Sequence, residues 1–234
     1  MPHLLSGQQS DLELIGSKIS EMGGLAEELL SHALEAVQRR DSDLAAQVVE
    51  RDRALDRMES QLETMTMRSL AERGRTPEAL RETIAALKVA STLERIGDLS
   101  KNIARRSQFL SRNQPVRVVA PVVRMGRQTL VQLTEVLDAY TARDTALAVS
   151  VWSRDIEIDE IYNSLFRELI TYMMEDPRTI TACSQLMFVA KNLERIGDHT
   201  TFIAEMAYYV VEGKPLGDDR PKGEPIDTLL DFDV

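Results

Sequence analysis

Cysteine is almost missing from this chain of 234 residues: Cys183 stands alone, so an intramolecular disulfide and a thiolate-ligated metal centre are both excluded. Histidine is nearly as scarce. His3, His32 and His199 form no Glu-x-x-His motif, which removes the ligand pattern of a buried di-iron bundle and with it oxidase chemistry. No Walker loop, no G-x-S-x-G and no CxxC occurs, so nucleotide hydrolysis and nucleophilic catalysis have no support. Basic charge is outweighed, with 28 Lys and Arg against 38 Asp and Glu for a net charge of −10. That balance argues against nucleic acid as a partner and against unaided adsorption to anionic lipid, and it favours cations and basic protein patches. No stretch approaches the ~18 consecutive apolar residues of a membrane span, so direct membrane insertion is not expected. Residues Met1 to Ser10 carry no cationic segment leading into an apolar run. A cytoplasmic location is expected, with any approach to a membrane made through a partner.

Proline is missing from two long intervals, Pro2 to Pro77 and Pro121 to Pro177, and within them apolar residues recur at helical spacing. The fold class is therefore all-α. Leu12, Ile15, Ile19, Met22, Ala26, Leu29, Ala33 and Val37 form one stripe, after which Asp41 or Ser42 can cap a second helix bearing Leu44, Val48, Leu55, Met58, Leu62 and Met65. Thr76 and Pro77 suit the start of a third helix running to about Leu110.

What the chain does have is itself, twice. Leu93-Glu94-Arg95-Ile96-Gly97-Asp98 returns as Leu193-Glu194-Arg195-Ile196-Gly197-Asp198, an offset of 100. Upstream, Arg40-Asp41 matches Arg143-Asp144, and Asp52 and Asp56 match Asp155 and Asp159, at an offset of 103. The difference lies in the connection before Pro77 and Pro177, where loops tolerate a change of length. The second half should repeat the plan with helices near Pro121–Thr141, Asp144–Met174 and Pro177–Val211, ended by Gly213. The expected organisation is two tandem three-helix bundles, residues 1–112 and 113–212, separated near Asn113 and Pro115. A flexible tail, residues 213–234, follows.

Acids four apart occur at duplicated positions: Asp52 with Asp56, Glu94 with Asp98, Asp155 with Asp159, and Glu194 with Asp198. On a helix each pair stacks one turn apart and repels by a few tenths of a kcal/mol. A helical wheel places Glu94 and Asp98 nearly opposite Val89, Leu93, Ile96 and Ile103, while Asp52 and Asp56 flank the stripe of the second helix. The pairs could then converge in an outer groove between helices. Carboxylates drawn from two helices suit hard cations, and Asn102 could add a carbonyl oxygen where the second repeat has Phe202. The competing reading is a solvated acidic face whose charge is neutralised by Arg95 or Lys101. Gly97 and Gly197 each cost a helix ~1 kcal/mol relative to alanine, which points to close approach of a neighbour.

These paired L-E-R-I-G-D motifs, each preceded by a D-x-x-x-D helix, resemble the PhoU family, as does Ile203-Ala204-Glu205-Met206 leading to Tyr208-Tyr209-Val210-Val211-Glu212-Gly213. The resemblance covers about residues 8–214. It implies a cytoplasmic homodimeric regulator of phosphate uptake that restrains the phosphate-starvation response. The implied partners are the ATPase of the phosphate ABC transporter and the phosphate-sensing histidine kinase. It also implies metal, such as iron, manganese, zinc or magnesium, on Asp52, Asp56, Glu94, Asp98 and Asn102 and on Asp155, Asp159, Glu194 and Asp198. Phe202 departs from the family's asparagine, so any second-repeat site is expected to be weaker or of different nuclearity. Catalytic residues are not expected. Two alternatives stand beside this reading: a metal-dependent phosphohydrolase and a metal-free helical adaptor.

Overall fold

The computed structural model describes residues 2–71, 76–112 and 116–217, with side chains from Asp11 onward. Helix α1 (Pro2–Arg39) buries Ile15, Ile19, Met22, Ala26, Leu29, Ala33 and Val37, the stripe its spacing foretells. It ends at Arg40, whose φ of 59° is left-handed, and the Asp41 amide donates back to the Ala36 carbonyl at 3.1 Å. Asp41 Oδ1 then accepts from the amides of Asp43 and Leu44 at 3.0 and 2.9 Å, capping α2 (Ser42–Ala71).

The same turn is built again after α4 (Val119–Ala142). Arg143 has φ 55°, the Asp144 amide reaches the Ala139 carbonyl at 2.9 Å, and Asp144 Oδ1 caps the Leu147 amide at 3.0 Å. A left-handed arginine is strained relative to glycine, and both side chains are held by α3 (Pro77–Ser111). Arg40 Nη2 donates to the Leu110 carbonyl at 2.8 Å, and Arg143 pairs with Glu82. Thr76 caps α3 through the Ala79 amide at 3.2 Å with Pro77 in the first turn.

The second half departs from its expected plan in one place. The helix expected over Asp144–Met174 is two helices, α5 (Thr145–Ser153) and α6 (Asp155–Glu175), broken at Arg154. Bonds of the i to i+3 kind surround the break: Arg154 donates to the Val151 carbonyl and Glu157 to the Arg154 carbonyl, each at 3.1 Å. Gln132, 2% exposed, also donates to that carbonyl at 3.2 Å. In the first repeat Gln132 corresponds to Leu29, a buried apolar residue, and α2 runs unbroken past Arg51. The last helix likewise opens with a short 3-10 turn, Pro177–Thr179, before α7 (Ile180–Glu212), and Gly213 at φ 71° ends it as expected.

Helices α1 and α4 pack on each other, as do α3 and α7, while α2 packs on α1 and α3 and α6 packs chiefly on α7 and α4. Buried residues of both repeats form one continuous apolar core. The α1 and α4 crossing is reciprocal. A Cβ added to Gly23 would lie 3.0 Å from Leu137, and one added to Gly126 would lie 2.2 Å from Leu34. Both glycines and both leucines are related by the same offset of 103, so the two repeats meet about an approximate two-fold. The outer flanks of this arrangement are the α2–α3 and α6–α7 grooves. Asn113, Pro115 and most of the stretch expected to be a tail lie outside the described residues. Its described part, residues 213–217, does not leave the surface at once, since Gly217 approaches the Trp152 ring and Gly213 the Arg81 guanidinium.

Replacing Gly126 with Val should cost about 1–3 kcal/mol by overpacking against Leu34. Gly24→Ala, at a helical position with open space around it, should gain about 0.5–1 kcal/mol. Urea unfolding of both variants measures this contrast, and equal effects at the two sites would refute the close crossing.

Candidate cation-binding grooves

In the first repeat the groove begins with a missing side chain. A Cβ at Gly97 would stand 2.5 Å from Leu55 Cδ1 and 3.2 Å from Asp52 Oδ1, so glycine is what lets α2 lie against α3. Asp52 shares that inward face with Val48 and Leu55. It is 2% exposed, which corrects the expectation that it flanks the stripe. Glu94 and Asp98 are half-buried, on the side of α3 away from Val89, Leu93, Ile96 and Ile103, where α2 packs. Asp56 is exposed, and Asn102 is half-buried one turn beyond Asp98.

Lys101 sits among these acids. Its ammonium donates to Asp52 Oδ2 at 2.5 Å and to Asp98, tying α2 to α3, while Asp52 Oδ1 is buried with no hydrogen-bond partner. Of the two cations that sequence offered as neutralising groups, Lys101 takes the role and Arg95 is exposed. Burial pushes the Asp52 carboxyl up against the pull of Lys101. Glu94 is raised to about 7, chiefly by burial and then by repulsion from Asp98, Glu59, Asp56 and Asp52. Five carboxylates thus act on one another across the groove. Glu59, absent from the sequence reading, completes the set.

The second repeat keeps the packing and changes the charges. A Cβ added to Gly197 would lie 3.3 Å from Ile158 Cγ2, as one added to Gly97 would meet Leu55. Asp155 is again 2% exposed, yet its Oδ1 accepts from the Thr201 hydroxyl at 2.8 Å, Thr201 standing where the first repeat has Lys101. Glu194 Oε1 accepts from Lys191 at 2.8 Å and Oε2 is buried with no hydrogen-bond partner. Burial raises Glu194, Lys191 opposes, and Asp198 and Asp159 add to the rise. Asp159, Asp198 and His199 are half-buried along the same groove.

The donor set fits a hard cation: carboxylate oxygens from two helices, with buried acceptor capacity unspent at Asp52 Oδ1 and Glu194 Oε2. Among the described residues no three His, Cys, Asp or Glu side chains meet at one point. Metal binding therefore requires the carboxylates to turn toward a common centre, and in the first repeat to displace Lys101. A cavity of about 600 Å³ lies elsewhere, between α1, α3 and α4, lined by Glu82, Arg143 and Tyr140 among others and by none of the groove acids.

Fold and grooves together define an all-helical tandem-repeat protein with two acidic inter-helix clefts. The PhoU domain model matches it twice, over residues 19–107 and 122–207, and the chain belongs to the PhoU family. It is similar to the phosphate-specific transport system accessory protein PhoU homolog of Caulobacter vibrioides, 45% identical over 221 residues, covering 94% of this chain and 96% of that one. The Escherichia coli phosphate-specific transport system accessory protein PhoU is 37% identical over 229 residues, covering 97% and 93%. Among solved structures, PhoU from Pseudomonas aeruginosa superposes with TM-score 0.85 at 38% identity, covering 88% of this chain and 99% of that one. The phosphate transport system regulatory protein PhoU of Streptococcus pneumoniae gives 0.83 at 28% identity, covering 90% and 99%.

The folded state holds the Glu94 proton up to about pH 7, whereas the unfolded chain releases it near 4.5, so this carboxyl removes stability as pH rises across that window. Glu94→Gln should consequently gain on the parent in thermal midpoint from about pH 5 to about pH 8. A constant difference across that range would contradict the raised carboxyl.

Proposed function

We propose that this chain is an accessory regulator of phosphate transport that restrains the phosphate-starvation response. It acts as a cytoplasmic homodimer through contact with the ATPase of the phosphate ABC transporter and with the phosphate-sensing histidine kinase. The observation that carries the reading is the match of both repeats to one family whose relatives, nearly full length on both sides, are named for phosphate transport. The described helices include none long and apolar enough to cross a membrane, which accords with recruitment by membrane-bound partners.

The acidic grooves supply the working surface. Each carries carboxylates between two packed helices, where they can hold hard cations such as iron, manganese, zinc or magnesium, or meet a basic patch on a partner. Asp52, Asp56, Glu94, Asp98 and Asn102 serve the first repeat, and Asp155, Asp159, Glu194 and Asp198 the second. The reading assigns no catalysis. A metal-dependent phosphohydrolase would need a general acid or base set against a substrate pocket, and the acids lie in open grooves apart from the large cavity.

Replacing Glu94 and Asp98 together with Ala should weaken capture of the ATPase or kinase by about tenfold, with the parent complex weakening as salt is raised. Unchanged affinity in a quantitative pull-down would remove the first groove from the contact.

A further inference from the structure

Helices α3 and α7 lie side by side, and the offset of 100 makes a cleft at one end of the pair correspond to one at the other. At the first end Pro215, Leu216 and Gly217 line a cleft with Lys88, Met206 and Tyr209, so the chain leaving α7 folds back over it. At the other end the corresponding residues are Phe188, Arg106 and Phe109. This second cleft is apolar and basic in a chain of net charge −10. Phe188, Ile180 and Phe109 are 52%, 46% and 40% exposed. The Arg106 guanidinium lies over the Phe188 ring at 4.1 Å, and its Nη1 donates to Gln185 Oε1 at 2.7 Å. Its Nε is buried with no hydrogen-bond partner, and burial lowers its pKa with no described carboxylate offsetting the loss. Arg105, next in sequence, is exposed. A guanidinium offers five N–H donors in a fork that suits a carboxylate, so Arg106 has donors to spare for an anion.

One segment of the chain has the matching chemistry. Residues 226–234, outside the described residues, combine Ile226, Leu229, Leu230, Phe232 and Val234 with three aspartates and no Lys or Arg. The same charge sets them against the acidic grooves. Phe188 lies about 27 Å along α7 from Met206, and residues 218–225 reach about 30 Å when extended, enough to carry the segment from one cleft to the other. We propose that residues 226–234 dock in cis on the Arg106–Phe188 cleft, their apolar side chains over Phe188 and Ile180 and an aspartate carboxylate on the Arg106 guanidinium. The short tether raises the effective concentration of the segment, so a contact too weak to hold a free peptide suffices. Docked there, the tail covers the α3–α7 seam from end to end and ties the two repeats together.

Photo-cross-linking of the full chain, with p-benzoylphenylalanine placed at Phe188 and products mapped by mass spectrometry on a mixture of isotope-labelled and unlabelled copies, tests this. Cross-links should join position 188 to residues 226–234 of the same copy at every protein concentration. Changing Asp227, Asp231 and Asp233 together to Asn should lower the yield by about two- to fivefold, and Arg106→Gln should do the same. If the probe at Phe188 prevents folding, as read by helical circular dichroism, the exposed Ile180 takes it instead. Cross-links that never include residues 226–234, that join different copies, or whose yield neither charge change alters overturn the proposal.

Discussion

Everything at the candidate site depends on one close contact, the approach of α2 to α3 that Gly97 permits. Leu55 fills the space a Cβ would occupy, and Asp52, one turn earlier on the same face, is carried into the interior with it. A buried carboxylate must be matched by a donor, and α3 supplies Lys101. The electrostatics of the groove are thus a consequence of packing. The same sequence of causes operates in the second repeat through Gly197, Ile158 and Asp155, with Thr201 as the donor.

Duplication explains the larger arrangement as well. Gly23 against Leu137 and Gly126 against Leu34 are one contact made twice, and they join the repeats over a continuous core. Each half therefore buries a face that would be exposed if it stood alone, which is the ordinary reason repeat units stack. Where the halves differ, local geometry and charge differ with them: Gln132 stands in the place of Leu29 beside the break at Arg154, and Thr201 in the place of Lys101 beside the buried aspartate.

Much of the fold was legible because its signals are local. Asp41, Thr76 and Asp144 cap helices, Pro77 sits in a first turn, and Gly213 ends α7, all as their residue types dictate. The break at Arg154 was not legible from that stretch, which contains neither proline nor glycine; the carbonyl at the break is bonded by Gln132 on another helix, a contact between residues 22 apart. The depth of Asp52 was misread for a related reason. A helical wheel describes one helix against its own core and is silent about the neighbour that covers its flank. Lys191 three residues before Glu194 could have been found by i to i+3 spacing, and Thr201 by setting it beside Lys101.

Under the proposed function, the helical walls and two acidic clefts of unequal charge are a docking surface. The most direct measurement of that account is a phosphate-starvation reporter in a bacterium lacking its own family member and expressing this chain. The account predicts that repression at high phosphate is restored. Constitutive reporter expression in cells that hold the folded chain at normal abundance would contradict it.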